Sequence, residues 1–116
     1  MVPTVVIIDD SNDFLVSAAG LLNEEGFLVV GCFADPSMAV SEVRRLKPSV
    51  VLLDIQLPAT NGFDIAAELA LLEPRPVVVL TSSREANSYG ELLRSAPVRG
   101  FIAKRELSGE ALATMV

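Results

Sequence analysis

Five short aliphatic runs punctuate the chain, TVVIID (4–9), FLVVGCF (27–33), SVVLLD (49–54), PVVVLT (76–81) and VRGFIAK (98–104), starting about 22 to 27 residues apart. Their apolar positions are continuous rather than alternating and are rich in Val and Ile, as in parallel strands covered on both faces. The stretches between them carry helical spacing. Residues 12–25 place Phe14, Leu15, Ala18, Leu21 and Leu22 on one face, with Ser11 or Asn12 as N-cap and Gly26 as the stop. Residues 37–46 carry Met38, Val40, Val43 and Leu46 and close before Pro48, and residues 63–72 carry Phe63, Ile65, Ala66, Leu69 and Leu72 and stop before Pro74. A fourth helix over residues 84–95 is a weak former, with Asn87, Ser88 and Gly90 in its middle, and is expected to be mobile. A fifth is expected to start near Glu106.

The order is therefore (βα) repeated five times in one domain over residues 1–116. Right-handed crossovers between parallel strands make a doubly wound α/β sheet the compact solution. The closing helix is short, which suggests the N-terminal part of a longer protein.

Composition narrows the chemistry. No histidine is present and Cys32 is the single cysteine, so Ser-His-Asp and Cys-His catalysis and an internal disulfide are excluded. Any metal should be a hard cation held by oxygens. Cys32, inside an apolar run, is expected to be a buried structural thiol. The net charge of -6 argues against direct binding of nucleic acid. With neither a signal peptide nor a long apolar span, the expectation is a cytoplasmic protein that does not engage a membrane.

In a doubly wound sheet, ligands bind outside the carboxyl ends of the strands. The first strand ends in Asp9 and Asp10, the third in Asp54, the fourth in Thr81 followed by Ser82 and Ser83, and the fifth in Lys104, whereas the second ends blandly at Ala34 or Asp35. Each residue alone has a plain explanation: Asp10 as a helix cap, Asp54 as a turn residue, Thr81 as a β-branched strand end, Lys104 as a solvated charge. Together at one edge, three carboxylates either raise a pKa or hold a cation, for which Mg²⁺ fits best. A lysine and a hydroxyl opposite them form an anion half-site, and the combination suits phosphoryl chemistry.

At this point VVIIDD, VVLLDIQLPATNGFD, PVVVLTS and GFIAK together resemble the receiver domain of bacterial two-component response regulators, in order and spacing, over essentially the whole chain. The resemblance implies a flavodoxin-like fold with strand order 2-1-3-4-5. It further implies that Asp54 is the phospho-acceptor, taking its phosphoryl group from a sensor histidine kinase or phosphotransfer protein. Asp10 and Asp54 would bind Mg²⁺ directly together with the backbone carbonyl of Gln56, and Asp9 through water. Lys104 would pair with a phosphate oxygen, the Thr81 hydroxyl would move to accept another, and Phe101 would be the aromatic switch; a plain core role is the alternative for Phe101. Gly62 matches a family glycine, and equally an ordinary turn. Gln56 and Ser83 stand where the family tunes autodephosphorylation.

The chain would be a signalling module rather than an enzyme, although able to catalyse its own phosphorylation and dephosphorylation. Its output surface would be helix 4, strand 5 and helix 5, which could also support a homodimer, and its target a C-terminal DNA-binding domain. A stand-alone receiver and a non-phosphorylated pseudo-receiver are the alternatives. A phosphatase of the haloacid dehalogenase type would need an Asp two residues after the nucleophile; Gln56 follows Asp54 and Ser11 follows Asp9 at that distance. One departure from the family stands out: Arg105, not proline, follows Lys104, and since a cis non-proline bond is costly, this leaves open whether the bond is cis or trans and with it the shape of the loop.

Overall fold

The computed structural model describes residues 2–116. Its strands are β1 (Thr4–Ile8), β2 (Leu28–Phe33), β3 (Val50–Asp54), the short β4 (Gln56–Leu57) and β5 (Thr60–Asn61), β6 (Val77–Ser82) and β7 (Gly100–Ala103). The helices are α1 (Asn12–Glu24), α2 (Ala39–Leu46), α3 (Gly62–Leu69), α4 (Glu91–Ser95) and α5 (Gly109–Ala113). The main sheet is parallel in the order β2-β1-β3-β6-β7, which is the expected 2-1-3-4-5 once the two-residue hairpin β4-β5 is set aside.

The continuous aliphatic runs are explained by two cores. Val6, Ile8, Val51, Leu53 and Leu80 face α2 and α3, packing with Val43, Ile65 and Leu69. Val5, Ile7, Val50, Leu52 and Val79 face α1 and α5, packing with Leu15, Leu22 and Leu112. Every residue of β3 is buried, and full burial of an aliphatic side chain contributes roughly 1.5–3 kcal/mol, which accounts for the unbroken aliphatic run Val50–Leu53 ahead of the buried Asp54. The registers Asp54↔Thr81 and Ser82↔Ala103 bring the ends of β3, β6 and β7 level with one another.

The helix ends follow local chemistry. Ser11 caps α1, its Oγ accepting from the Phe14 N–H at 3.3 Å, and Gly26 follows at φ +103°. Asn61 caps α3 by accepting from the Asp64 N–H at 3.0 Å. The second helix opens with a 3₁₀ turn, Pro36–Met38, ahead of α2. No helix among the described residues is long and apolar enough to cross a membrane.

Several expectations need correction. Helix α3 ends at Leu69, not at residue 72; Leu72 is buried from a turn whose N–H bonds to the Leu69 carbonyl, so its apolarity marks the core rather than a longer helix. The fourth helix is not continuous over 84–95. A 3₁₀ turn at Ala86–Ser88 is followed by Gly90 at φ +50° and only five helical residues, because Asn87 and Ser88 favour local turns and Gly90 readily takes a positive φ. The last α-helix starts at Gly109, capped by Ser108, after a separate 3₁₀ turn at Lys104–Glu106. Cys32 is exposed, because β2 is the edge strand and none of its residues is fully buried.

Candidate functional site

The carboxyl edge of the sheet gathers the residues singled out above. Asp9 and Asp10 follow β1, Asp54 closes β3, Thr81 and Ser82 end β6, and Lys104 follows β7. Oxygens of Asp9, Asp10 and Asp54 all lie within 4.8 Å of one another. Asp9 is fully buried and Asp54 is 3% exposed, while Asp10 is open to solvent at the mouth.

Local backbone holds these groups in place. The Asp9 N–H bonds to the Phe33 carbonyl, and Asp9 Oδ1 accepts from the Ser11 N–H at 2.9 Å. Asp54 Oδ1 accepts from the Gln56 N–H at 3.3 Å. The loop after Asp54 folds back as the β4-β5 hairpin, with Ala59 at φ +60° at its tip, and closes where the Gly62 N–H meets the Ile55 carbonyl at 2.8 Å. A Cβ on Gly62 would stand 2.5 Å from the Asp54 carbonyl oxygen and 2.8 Å from the Ile55 Cα. Close approach of two backbone segments therefore requires glycine here, beyond any generic turn preference.

Lys104 Nζ lies 2.7 Å from Asp9 Oδ2 and 3.6 Å from Asp54 Oδ2, and 4.6 Å from the centroid of the Phe14 ring. The approach to Asp9 is an ion pair. The ammonium is thus held by two carboxylates and an aromatic face, the last worth roughly 0.5–2 kcal/mol. The Lys104–Arg105 bond is trans, and Arg105 makes an ion pair with Glu85 across the pocket rim.

Burial pushes the Asp54 carboxyl up to about 6, reinforced by the Asp9 charge and to a lesser degree by Asp10, against the opposing pull of Lys104 and the Gln56 N–H. The cluster has more negative charge than Lys104 neutralises, and a bound cation would relieve it. Thr81 Oγ1 is buried with no hydrogen-bond partner. Such a hydroxyl costs about 1–3 kcal/mol, so its retention at this edge points to a partner that the site takes up in use. The oxygen donors and the spare hydroxyl fit a hard divalent cation and an anion side by side.

A family model described as "Response regulator receiver domain" matches residues 5–116. The chain belongs to the response regulator receiver family. Among its relatives is protein-glutamate methylesterase/protein-glutamine glutaminase 6 of Anaeromyxobacter dehalogenans, 38% identical over 109 residues, or 92% of this chain and 31% of the relative. Another is the DNA-binding transcriptional activator EvgA of Escherichia coli, 26% identical over 87% of this chain and 50% of the relative. This receiver thus spans about a third to a half of these proteins. The fold is shared with chemotaxis response regulator CheY4 of Vibrio cholerae, with a TM-score of 0.86 over 100% of both chains at 15% identity.

Three contributors were not singled out by sequence. Phe14 reads simply as the first core position of α1, although it stands one turn after Asp10. Ser82 reads in the sequence only as the companion of Thr81, and it is fully buried. Tyr89 sits in the weak fourth segment, yet its hydroxyl lies 2.6 Å from Ser82 Oγ and its ring packs between Phe63 and Phe101, with centroids at 5.8 and 6.2 Å. A larger cavity of about 640 Å³, lined by Ala34, Val40, Pro58 and Ile65 among others, lies away from the acidic cluster and contains no cationic side chain.

Proposed function

We propose that Asp54 is the phospho-acceptor of this receiver domain, taking a phosphoryl group from the phosphohistidine of a sensor kinase or phosphotransfer protein. The observation that carries the reading is the convergence of three carboxylates, Lys104 and an unpartnered Thr81 hydroxyl at one sheet edge. An ionised Asp54 oxygen attacks phosphorus, forming the O–P bond as the P–N bond to the donor imidazole breaks and its electron pair leaves with the imidazole nitrogen. With its carboxyl at about 6, Asp54 is mostly ionised at neutral pH.

Asp10, Asp54 and the Gln56 backbone carbonyl would hold Mg²⁺, with Asp9 acting through water. Bound there, the ion would offset the charge on the transferring oxygens. Lys104 would shift from the carboxylates to a phosphate oxygen, and the Thr81 hydroxyl would donate to another. Movement of Thr81 would free Phe101 to turn inward and alter the surface formed by α4, β7 and α5. That surface would pass the signal on, to an attached C-terminal DNA-binding domain or through a homodimer. The 38% identity to a methylesterase relative favours a second reading, in which the attached output is enzymatic. The chain itself is proposed to act in the cytoplasm as a signalling module.

Incubation with acetyl phosphate and Mg²⁺, followed by intact mass measurement, tests the acceptor. A phosphate-sized gain in the wild type and none in Asp54→Asn is expected. A gain of equal size in the variant would overturn the assignment.

A further inference from the structure

Of the thirteen residues from Ser83 to Ser95, all are exposed except Tyr89, Gly90 and Leu93. Neither the 3₁₀ turn nor α4 has a side-chain cap, and neither contains a buried residue. Gly90 has no side chain and Glu85 meets Arg105 only in an exposed ion pair, so Tyr89 and Leu93 are the two side chains of this segment that are partly buried against the body of the domain. Leu93 supplies a plain apolar contact. Tyr89 supplies a directional one: its hydroxyl is 2.6 Å from Ser82 Oγ, which also accepts from the Arg84 N–H at 3.1 Å. Ser82 is fully buried and is the residue next to Thr81, whose own hydroxyl is buried without a partner. A shift of the Thr81 backbone toward Asp54 would carry the adjoining Ser82, and with it the oxygen in contact with the Tyr89 hydroxyl.

We propose that Tyr89 is a positioning residue that ties the order of residues 83–95 to the Thr81–Ser82 strand end, its bond to Ser82 breaking when Asp54 is phosphorylated. This rests on Asp54 being the phospho-acceptor. The aromatic stack gives the ring two alternative supports, Phe63 on α3 and Phe101 on β7, so the side chain keeps packing partners when the hydroxyl lets go. Loss of the bond leaves the segment with packing and the exposed Glu85–Arg105 ion pair, and a net hydrogen bond of typical strength corresponds to about a fivefold to tenfold change in local opening.

The chain has one tyrosine and no tryptophan, so its ultraviolet emission reports Tyr89 alone. The experiment follows emission, intact mass and amide hydrogen exchange together, on the 116-residue chain with Mg²⁺, before and after acetyl phosphate. In the unphosphorylated state, Tyr89→Phe and Ser82→Ala should each raise exchange across residues 83–95 about fivefold to tenfold. The double variant should add little, and Ser82→Thr, which keeps a hydroxyl, should restore protection. In the wild type, emission should change in proportion to the phosphorylated fraction, whereas Ser82→Ala should show no such change. Unaltered exchange in both single variants would overturn the pin, whatever phosphorylation does. A wild type that gains a phosphate while its tyrosine emission stays constant would overturn the coupling and leave the acceptor role of Asp54 intact. No mass gain in the wild type would overturn that acceptor role and the coupling with it.

Discussion

Replacing Asp54 with Asn should stabilise the metal-free protein, and by an amount that depends on pH in one direction only. The Asp54 carboxyl rises from 3.8 to about 6 on folding, principally through burial and the neighbouring Asp9 charge. A raised folded value means that the unfolded chain ionises first as pH climbs. The stability contribution is therefore fully present below about 3.8, is lost progressively through the interval, and is gone above about 6. At about 1.36 kcal/mol per unit, two units correspond to about 3 kcal/mol of destabilisation by the ionised carboxylate at neutral pH. Asp54 is 3% exposed, so solvent screening offers little relief. Asn carries no charge and has no such dependence, while the other titrating groups largely cancel in the comparison. Urea unfolding of wild type and Asp54→Asn, in chelator at intervals from pH 4 to pH 8, should show a gap that widens with pH by about 2.4 kcal/mol, the rest of the effect lying below pH 4. In thermal melts this is on the order of 10 °C. A gap that is constant across the range, or largest at acid pH, would refute the reasoning.

Three further outcomes follow from the same geometry. Gly62→Ala forces a Cβ against the Asp54 carbonyl at 2.5 Å, and should lower stability by roughly 1–3 kcal/mol in urea unfolding; a change near zero would contradict the packing described. Thr81→Val replaces the unpartnered buried hydroxyl with a methyl group and should raise stability by about 1 kcal/mol, while slowing phosphorylation measured by intact mass. Mg²⁺ at ten times its dissociation constant should stabilise the wild type by about 1.4 kcal/mol in thermal melts, and Asp10→Asn should lose most of that gain.

The sheet was legible because its strands are buried on both faces, which forces uninterrupted aliphatic runs, and because proline and glycine punctuate the helices between them. The site was legible because parallel strands place their last residues on one edge, so Asp9, Asp10, Asp54, Thr81 and Lys104 could be aligned by counting. What escaped depends on tertiary packing. Cys32 lies in an apolar run yet is exposed, since nothing in a run says that its strand will be the sheet edge. Leu72 follows helical spacing but reaches the core from a turn. The β4-β5 hairpin is two residues to a side, too short for any alternation to register. Tyr89 meets Ser82, seven positions earlier, through its hydroxyl, and packs on Phe63 and Phe101, contacts between separate elements that no local spacing reveals.

The central claim is that the phosphoryl group resides on Asp54. Borohydride reduces an acyl phosphate on aspartate to homoserine, so treating the phosphorylated protein and mapping its peptides reads the position directly. Homoserine at position 54, dependent on both acetyl phosphate and Mg²⁺, is the result expected. Homoserine at position 9 or 10, or at no position in a protein that has gained phosphate, would contradict the account.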